Sequence, residues 1–231
     1  MSAAVTFQLF AKAPVAGTVK TRLFPALDPQ DAATLHARMV EHAAGMMAMA
    51  VAGIPGARAE LWCSPDSTDQ TLGAIAHRHG LTLRQQTNGD LGSRMRCALR
   101  SAMPGHAILL GSDCPMLDAP LLISAEHALC VDDAVFVPVE DGGYALVGCR
   151  NLVPECFAGI EWSTERVMDQ TRARLTAAGS RWTELAVVWD VDHVADLARL
   201  RTDVRFSHLV AGLMTQPGGA NTTTIHAAPI I

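Results

Sequence analysis

Residues 107–115 read AILLGSDCP, an apolar run that ends abruptly in a serine, an aspartate, a cysteine and a proline. An uninterrupted apolar run of this length is typical of a central parallel strand that is buried on both faces. Because proline does not continue a central strand, Cys114-Pro115 ends it and leaves Asp113 at its carboxyl end. Ligands of open α/β sheets bind in the crevice beyond these strand ends, so Asp113 is a candidate site residue.

Short apolar segments alternate with longer helical segments along the rest of the chain. We predict strands at 6–11, 59–63, 81–85, 107–111, 134–139, 144–147 and 185–188, and helices at 28–53, 69–79, 91–103, 121–129, 164–178 and 192–200. This alternation favours parallel strands joined by crossover helices. The expected fold is a single Rossmann-like, three-layer α/β sandwich with a mostly parallel central sheet. It spans residues 1–210, and residues 211–231 form a C-terminal extension.

The composition limits the possible functions. The 231 residues are 49% hydrophobic and 18% charged, with a formal net charge of −5 and no run of lysine or arginine, so nucleic-acid binding is not expected. No secretory signal and no apolar window of ~20 residues is present, which predicts a cytoplasmic protein without a membrane span. The six cysteines lack C-x-x-C spacing and are expected to be reduced thiols in the core.

The loop after the first predicted strand, residues 12–23, is the second candidate feature. It contains Lys12, Gly17, Lys20 and Arg22. Glycine lets the backbone approach an anion, lysine supplies a point charge and arginine a two-pronged donor. The loop is neither a Walker A motif nor a G-x-G-x-x-G motif. Alone it is equally typical of a solvated turn, but its place beside Asp113 favours phosphate binding.

Two more acids follow the predicted strand at 185–188, namely Asp190 and Asp192. If the strands are parallel, both reach the same sheet edge as Asp113. Carboxylates that meet in a crevice suit Mg²⁺ or Mn²⁺, so these three aspartates are candidate metal ligands. The alternatives are that Asp113 caps the following turn and that Asp192 caps the last helix.

Asp90 and Gly92 lie at the start of the helix predicted at 91–103. An aspartate here can contact the base or ribose of a bound nucleotide, and it can equally be the N-cap of the helix. Asp90 and Gly92 are therefore candidate nucleotide-binding residues, with helix capping as the alternative for Asp90.

The remaining candidate substrate residues lie in two loops. Asp141-Gly142-Gly143 predicts a turn that can approach a ligand closely, and Tyr144 adds a stacking face and a hydroxyl. A plain hairpin turn has the same pattern. Trp162 is a candidate for the acceptor side, and Ser163 is predicted to be the N-cap of the next helix as well as a candidate substrate contact.

Several of these segments together resemble a known family. The motifs are FAKAP at 10–14, KTRL at 20–23, GDLGSRM at 89–95, GSDCP at 111–115, DGGY at 141–144 and WST at 162–164. They resemble the successive motifs of the bacterial glycosyltransferase-like proteins of the nucleotide-diphospho-sugar transferase superfamily, and they extend over most of residues 5–200. The resemblance implies the glycosyltransferase A-type fold. It also implies kinship with the molybdenum-cofactor and 2-phospholactate guanylyltransferases.

By this resemblance Lys20 and Arg22 contact the donor phosphates, Asp113 holds Mg²⁺ or Mn²⁺, and Asp190 and Asp192 form the second acidic motif. The implied activity is metal-dependent transfer from a nucleotide-diphospho-sugar donor to a small-molecule acceptor. One departure stands out, because Gly111 occupies a position where sugar-transferring members usually carry an aspartate. The alternatives are a nucleotidyltransferase that releases pyrophosphate and a nucleotide-binding module without turnover.

Overall fold

The computed structural model describes residues 4–150 and 154–214. The strands are β1 (Val5–Lys12), β2 (Arg58–Ser64), β3 (Thr82–Gln85), β4 (His106–Gly111), β5 (Ala134–Pro138), β6 (Tyr144–Cys149) and β7 (Trp182–Glu184). The helices are α1 (Pro29–Gly53), α2 (Gln70–His79), α3 (Leu91–Ser101), α4 (Ala119–Leu129), α5 (Val167–Ala177), α6 (Val194–Thr202) and α7 (Ser207–Val210). Residues 215–231 of the predicted C-terminal extension lie outside the described residues.

The described strands form one sheet in the order β3-β2-β1-β4-β6-β5-β7. Strand β1 pairs in parallel with β2 and β4, and β6 pairs antiparallel with both β4 and β5. The turn at 139–143 joins β5 to β6 as a hairpin, which places β6 between β4 and β5. A mostly parallel sheet was expected, and this topology confirms it.

Helices cover both faces of the sheet. Residues of α1, α2 and α4 pack on one face against alternate side chains of β1, including Phe7 and Leu9. Residues of α3 and α5 pack on the other face against β4, β5 and β6. Gln8 points to that second face and its amide donates to the carbonyl of Ala98 in α3 at 2.7 Å. The predicted three-layer sandwich is therefore confirmed.

Aspartates begin four of the helices. The side chains of Asp28, Asp69, Asp90 and Asp118 each accept a hydrogen bond from the backbone N–H three residues later. These bonds satisfy N–H groups that have no partner within the helix, and each cap is worth about 1 kcal/mol. The predicted cap at Asp28 is confirmed, and the predicted strand at 107–111 lies within the fully buried β4.

Three local predictions were wrong. Helix α5 begins at Val167 with Arg166 before it, so Ser163 is not its N-cap; Ser163 has a φ of 68° in the preceding loop. The last strand is β7 rather than 185–188, and of that segment Val188 alone forms an isolated bridge with Val139. Helix α6 begins after His193, so Asp192 does not cap it.

The sequence predicted reduced cysteines in the core and no membrane span. The described residues form no disulfide. Cys63, Cys114, Cys149 and Cys156 are buried as expected, whereas Cys97 and Cys130 are exposed, because they lie on the outer faces of α3 and the end of α4. No helix in the described part of the chain combines the length and the apolar character that a membrane crossing needs.

Candidate functional site

Two adjoining clefts open at the carboxyl edge of the sheet. The first, called here the loop cleft, has a volume of about 320 Å³ and lies between the 12–22 loop, the end of β4 and the start of α3. The second, called the aromatic cleft, has a volume of about 200 Å³ and lies beside Tyr144 and Trp162. Arg22 and Asp192 line both clefts and therefore form the border between them.

Lys20 ties the loop to the end of β4. Its Nζ lies 2.7 Å from Oδ1 of Asp113 and donates to the carbonyl of Val191 at 2.6 Å. The backbone N–H of Val191 in turn donates to the carbonyl of Asp113. Lys20 adopts the left-handed conformation, with a φ of 50°, which costs a non-glycine residue of order 1 kcal/mol. The two bonds of its buried ammonium offset that cost.

Asp113 is ionised in this arrangement. Its burial works to raise the pKa of the carboxyl, but the charge and the hydrogen bond of Lys20 outweigh that effect, and the pKa is lowered. Burial lowers the pKa of His36, whose Nε2 lies 2.9 Å from the carbonyl oxygen of Lys12. A neutral imidazole that donates from Nε2 leaves Nδ1 without a proton, 3.8 Å from Oδ1 of Asp113.

Arg22 and Asp192 form an ion pair at the border of the two clefts. At the start of α6 the carboxylate of Asp196, and not that of Asp192, accepts backbone N–H groups, namely those of Asp192 and His193. The expectation that Asp192 caps this helix was therefore wrong, since His193 and Asp196 do so instead. Both members of the pair are partly exposed, so a ligand can reach either one.

Asp190 lies in an excess of negative charge. Burial, followed by the proximity of Asp141, raises the pKa of its carboxyl to about 7; Asp113 and Asp192 add to this and Lys20 opposes it. Its Oδ2 is buried and has no hydrogen-bond partner among the described residues.

The three candidate metal ligands do not form a closed site. Asp113, Asp190 and Asp192 do not bring one oxygen each within 4.8 Å of the others, because Lys20 and Arg22 hold Asp113 and Asp192. An unpartnered oxygen among like charges is nevertheless an environment that a cation stabilises. The residues present therefore fit a divalent cation.

Aromatic and apolar side chains form the wall of the aromatic cleft. Tyr144 and Trp162 meet edge to face with ring centroids 6.5 Å apart, and Leu91 and Met95 of α3 extend the surface. Asp141, Gly143 and Ser163 also line this cleft. An apolar wall beside a few carboxylates suits a small molecule that carries a polar reacting group.

The 139–143 turn packs closely against the start of α5 and the loop before it. Gly142 has a φ of 88°, and a Cβ at this position would lie 2.1 Å from the backbone oxygen of Glu165. The N–H of Met168 also donates to the carbonyl of Gly142 at 2.9 Å. The turn therefore needs glycine for close backbone packing, and this packing holds Asp141 at the edge of the aromatic cleft.

Three predicted nucleotide-binding residues lie outside the lining of both clefts, namely Gly17, Asp90 and Gly92. The carboxylate of Asp90 caps α3 through the N–H of Ser93 at 2.7 Å, as the alternative for this residue had it. A Cβ on Gly92 would lie 2.7 Å from the Trp162 ring. Gly92 therefore lets Trp162 pack closely on α3.

Sequence reasoning missed several polar residues of the loop cleft, and three of them have long polar or ionisable side chains. His36 reaches it from α1, Gln86 from the end of β3 and Arg94 from α3. Arg94 donates to the side-chain oxygen of Gln86 at 2.8 Å, and the amide of Gln86 donates to the carbonyl of Trp62. Signals were present, since Gln86 follows a strand at the same sheet edge and His36 interrupts an apolar helix face.

Solved structures show the same fold. A proposed nucleotide-diphospho-sugar transferase from Desulfovibrio desulfuricans G20 is 28% identical with a TM-score of 0.76, over 90% of this chain and 94% of that one. A nucleotidyl transferase from Methanothermobacter thermautotrophicus is 12% identical with a TM-score of 0.59, over 89% and 97%. The Rv0371c protein of Mycobacterium tuberculosis H37Rv, in complex with manganese, is 19% identical with a TM-score of 0.51, over 88% and 100%.

These likenesses confirm the resemblance to nucleotide-diphospho-sugar transferases and the expected fold, and they agree with the predicted transferase class. No curated protein matches the sequence. Residues 39–164, more than half of the chain, match a family described as an uncharacterized protein conserved in bacteria, DUF2064. The matched region runs from α1 through the end of β4 to the loop that carries Trp162. The chain therefore belongs to the DUF2064 family.

Proposed function

We propose that this protein is a transferase that holds a nucleotide-activated donor in the loop cleft and a small-molecule acceptor in the aromatic cleft. The observation that carries this proposal is the shared border of the two clefts, since Arg22 and Asp192 line both. A donor and an acceptor bound on either side of this border would meet at it. Holding two reactants in this way removes much of the entropic barrier to their reaction.

The loop cleft supplies the groups that a nucleotide needs. Lys12, Lys20, Arg22 and Arg94 line it, and each charge-assisted contact to a phosphate contributes about 1.5–3 kcal/mol. Its volume of about 320 Å³ is within the usual size of small-molecule sites. Gln86 accepts from Arg94 at 2.8 Å and so holds that guanidinium in the cleft. We assign the donor phosphates to the lysine and arginine side chains of this cleft.

We further propose that Mg²⁺ or Mn²⁺ binds at Asp113, Asp190 and Asp192. The unpartnered Oδ2 of Asp190 and the crowding of carboxylates around it support a cation there. The Rv0371c protein, which shares the fold, has been solved with manganese. When bound, the ion would neutralise charge on the donor phosphates.

In this proposal the side chains of the protein have separate tasks. Lys20 and Arg22 stabilise the negative charge that develops on the departing phosphate. The Tyr144–Trp162 wall orients the acceptor and excludes water. Asp192 holds Arg22 between the two clefts until the donor phosphate competes for it.

The first candidate for the donor is a nucleotide-diphospho-sugar, because the Desulfovibrio protein with 28% identity carries that description. The second candidate is a nucleoside triphosphate, with transfer of the nucleotidyl group and release of pyrophosphate. It is favoured by Gly111, which stands where sugar-transferring members usually carry an aspartate. It is also favoured by the four cations of the loop cleft, which are enough to pair with a triphosphate.

Product analysis separates these reactions. The protein is incubated with Mg²⁺ or Mn²⁺, mixed nucleotide sugars and nucleoside triphosphates, and a small-molecule extract, and the released products are measured. Nucleoside diphosphate alone supports sugar transfer, and pyrophosphate alone supports nucleotidyl transfer. Neither product, together with tight nucleotide binding, would contradict the transferase and leave a binding module. Asp113→Asn is the matched inactive control.

A further inference from the structure

A cluster of three different potential ligands lies at the end of β4 opposite to the two clefts. His106 is the first residue of β4, whereas Asp113 follows its last residue. At ~3.3 Å per strand residue, the two are roughly 20 Å apart. Glu126 lies in the last turn of α4, and Cys130 follows that helix. The cluster is therefore separate from the proposed nucleotide site.

The spacing of the ligand atoms suits tetrahedral coordination. Nδ1 of His106 lies 3.4 Å from Oε1 of Glu126, and Sγ of Cys130 lies 3.9 Å from the same oxygen. One ligand atom from each residue lies within 4.8 Å of the others. Around a tetrahedral zinc ion, neighbouring nitrogen and oxygen ligands are about 3.4 Å apart, and sulfur and oxygen about 3.6 Å. The side chain of Cys130 is exposed, so it can rotate to bring Sγ toward the tetrahedral distances.

The polar groups of the cluster are buried without full compensation. His106 is 3% exposed and Glu126 is 4% exposed. Nδ1 of His106 has no hydrogen-bond partner among the described residues, although Glu126 is near. Buried polar atoms of this kind nearly always have a partner, because leaving one without costs about 1–3 kcal/mol. The unpartnered nitrogen lies 3.4 Å from the same oxygen that Cys130 approaches.

The charges of the cluster also favour a bound divalent ion over a metal-free pair of His106 and Glu126. A doubly charged cation with one carboxylate, one thiolate and a neutral imidazole leaves no net charge in the cluster. Binding would release the thiol proton of Cys130 to solvent. Arg150 donates to the backbone carbonyl of Cys130 at 3.4 Å and to Asp133 at 3.0 Å, so its guanidinium does not pair with Glu126. The exposed side chain of His127 lies 4.0 Å from the other oxygen of Glu126.

We propose that His106, Glu126 and Cys130 bind a zinc ion or a chemically similar divalent transition metal. Nitrogen, oxygen and sulfur ligands in one site select such ions over Mg²⁺, which prefers oxygen alone. Because Cys130 is exposed, water can supply a fourth ligand. Bound metal would fasten the end of α4 to the start of β4.

Cobalt serves as a spectroscopic probe for this site. The metal-free protein is titrated with Co²⁺ and then with Zn²⁺, while near-ultraviolet thiolate-to-cobalt absorption is recorded. We expect the band to saturate at one equivalent of Co²⁺ and to disappear as Zn²⁺ displaces the cobalt. Cys130→Ser should abolish the band. Cys97→Ser, which alters the other exposed cysteine, is the matched control and should retain it.

A thermal shift with Zn²⁺ gives a second readout that does not depend on cysteine absorption. Zinc should raise the melting temperature of Asp113→Asn, in which the site proposed for Mg²⁺ or Mn²⁺ is disabled, and it should not raise that of the double variant Asp113→Asn/Cys130→Ser. A zinc-induced rise that is absent from Asp113→Asn, or that persists in the double variant, would overturn the proposal. A cobalt band that is absent from wild type, or that survives in Cys130→Ser, would overturn it as well.

Discussion

Nζ of Lys20 lies 2.7 Å from Oδ1 of Asp113, and this contact joins the loop after β1 to the carboxyl end of β4. The same ammonium donates to Val191, which belongs to the segment that carries Asp190 and Asp192. One buried lysine therefore links three of the segments that line the loop cleft. In the proposed function the same side chain would also contact a donor phosphate, so its structural part needs a separate test.

Replacing Lys20 with methionine tests the structural part. Lys20→Met should lower the free energy of unfolding by about 1–3 kcal/mol, because it leaves Asp113 and the Val191 carbonyl without their donor. Urea unfolding measures the change. Lys12→Met is the matched control, since Lys12 is exposed and donates to Thr18 in its own loop. It should change stability by less than about 0.5 kcal/mol.

A double-mutant cycle shows whether the stability lost in Lys20→Met comes from the contact between Lys20 and Asp113. Asp113→Asn removes the charge that Lys20 faces, so Lys20→Met in that background should cost less than it does in wild type. Equal costs in the two backgrounds would contradict a direct coupling between the two side chains.

Arg22→Ala should weaken nucleotide binding by about 1.5–3 kcal/mol for di- and triphosphates, because it removes a charge-assisted contact to phosphate. Binding of the matching nucleoside should barely change. Calorimetry with all three ligands measures this. Arg58→Ala removes an exposed cation from the opposite end of β2 and should leave every affinity unchanged. Equal losses for nucleoside and triphosphate would mean that Arg22 shapes the cleft without contacting phosphate.

Gly92→Ala and Gly73→Ala form a matched pair of helix substitutions. Helix propensity favours alanine over glycine by about 1 kcal/mol at both positions. A Cβ at Gly73 meets nothing within 4 Å, so Gly73→Ala should stabilise the protein by up to about 1 kcal/mol. A Cβ at Gly92 would meet the Trp162 ring at 2.7 Å and the Phe157 carbonyl oxygen at 3.0 Å. Overpacking of this kind costs about 1–3 kcal/mol, so Gly92→Ala should be destabilising.

Thermal or urea unfolding of both variants measures the sign of each change. Gly92→Ala should also alter the fluorescence of Trp162, because the ring must move away from α3. A stabilised Gly92→Ala protein with unchanged fluorescence would show that the ring adapts without cost, and the close approach would then not explain the glycine.

The parts of the fold that depend on local signals could be predicted from the sequence. The apolar run at 107–111 forms strand β4, and Asp28 caps α1, as expected. Both are determined by residues close to them in the sequence. The position of β6 between β4 and β5 could not be predicted, because a buried antiparallel strand and a buried parallel strand have the same apolar pattern. The apolar segment at 185–188 suggested a strand, yet Val187 is 62% exposed and Val188 alone pairs.

Some residues of the candidate site could likewise be predicted from the sequence, and others could not. Residues that directly follow parallel strands could be placed at one edge in advance, and Asp113 and Lys20 do line one cleft there. His36 and Arg94 come from helices, and a helix residue reaches a cleft only through the packing of that helix on the sheet. Sequence periodicity does not determine that packing. The ion pair of Arg22 with Asp192 likewise depends on the tertiary fold, because the two residues are 170 positions apart in the sequence.

Asp190 gives a prediction about pH, because its pKa in the folded protein is about 7, well above the ordinary value of 3.8. The charges around it are Asp141, Asp113, Asp192 and Lys20. A raised carboxyl pKa means that the folded state keeps a proton that the unfolded chain loses. Stability from this group therefore falls as pH rises from about 4 to about 7, and it stays low above that range.

Asp190→Asn removes this titration. The stability of Asp190→Asn relative to wild type should increase between pH 4.5 and pH 8 by at least about 1 kcal/mol, since one pKa unit corresponds to about 1.4 kcal/mol. Comparing the two pH values cancels any packing cost of the amide itself. Urea unfolding with a chelator present measures the metal-free protein. Asp169→Asn, at an exposed carboxylate in the first turn of α5, is the control and should show no such rise. A difference between Asp190→Asn and wild type that is the same at both pH values would mean that Asp190 ionises normally, and the crowding of carboxylates would then be relieved in the folded protein.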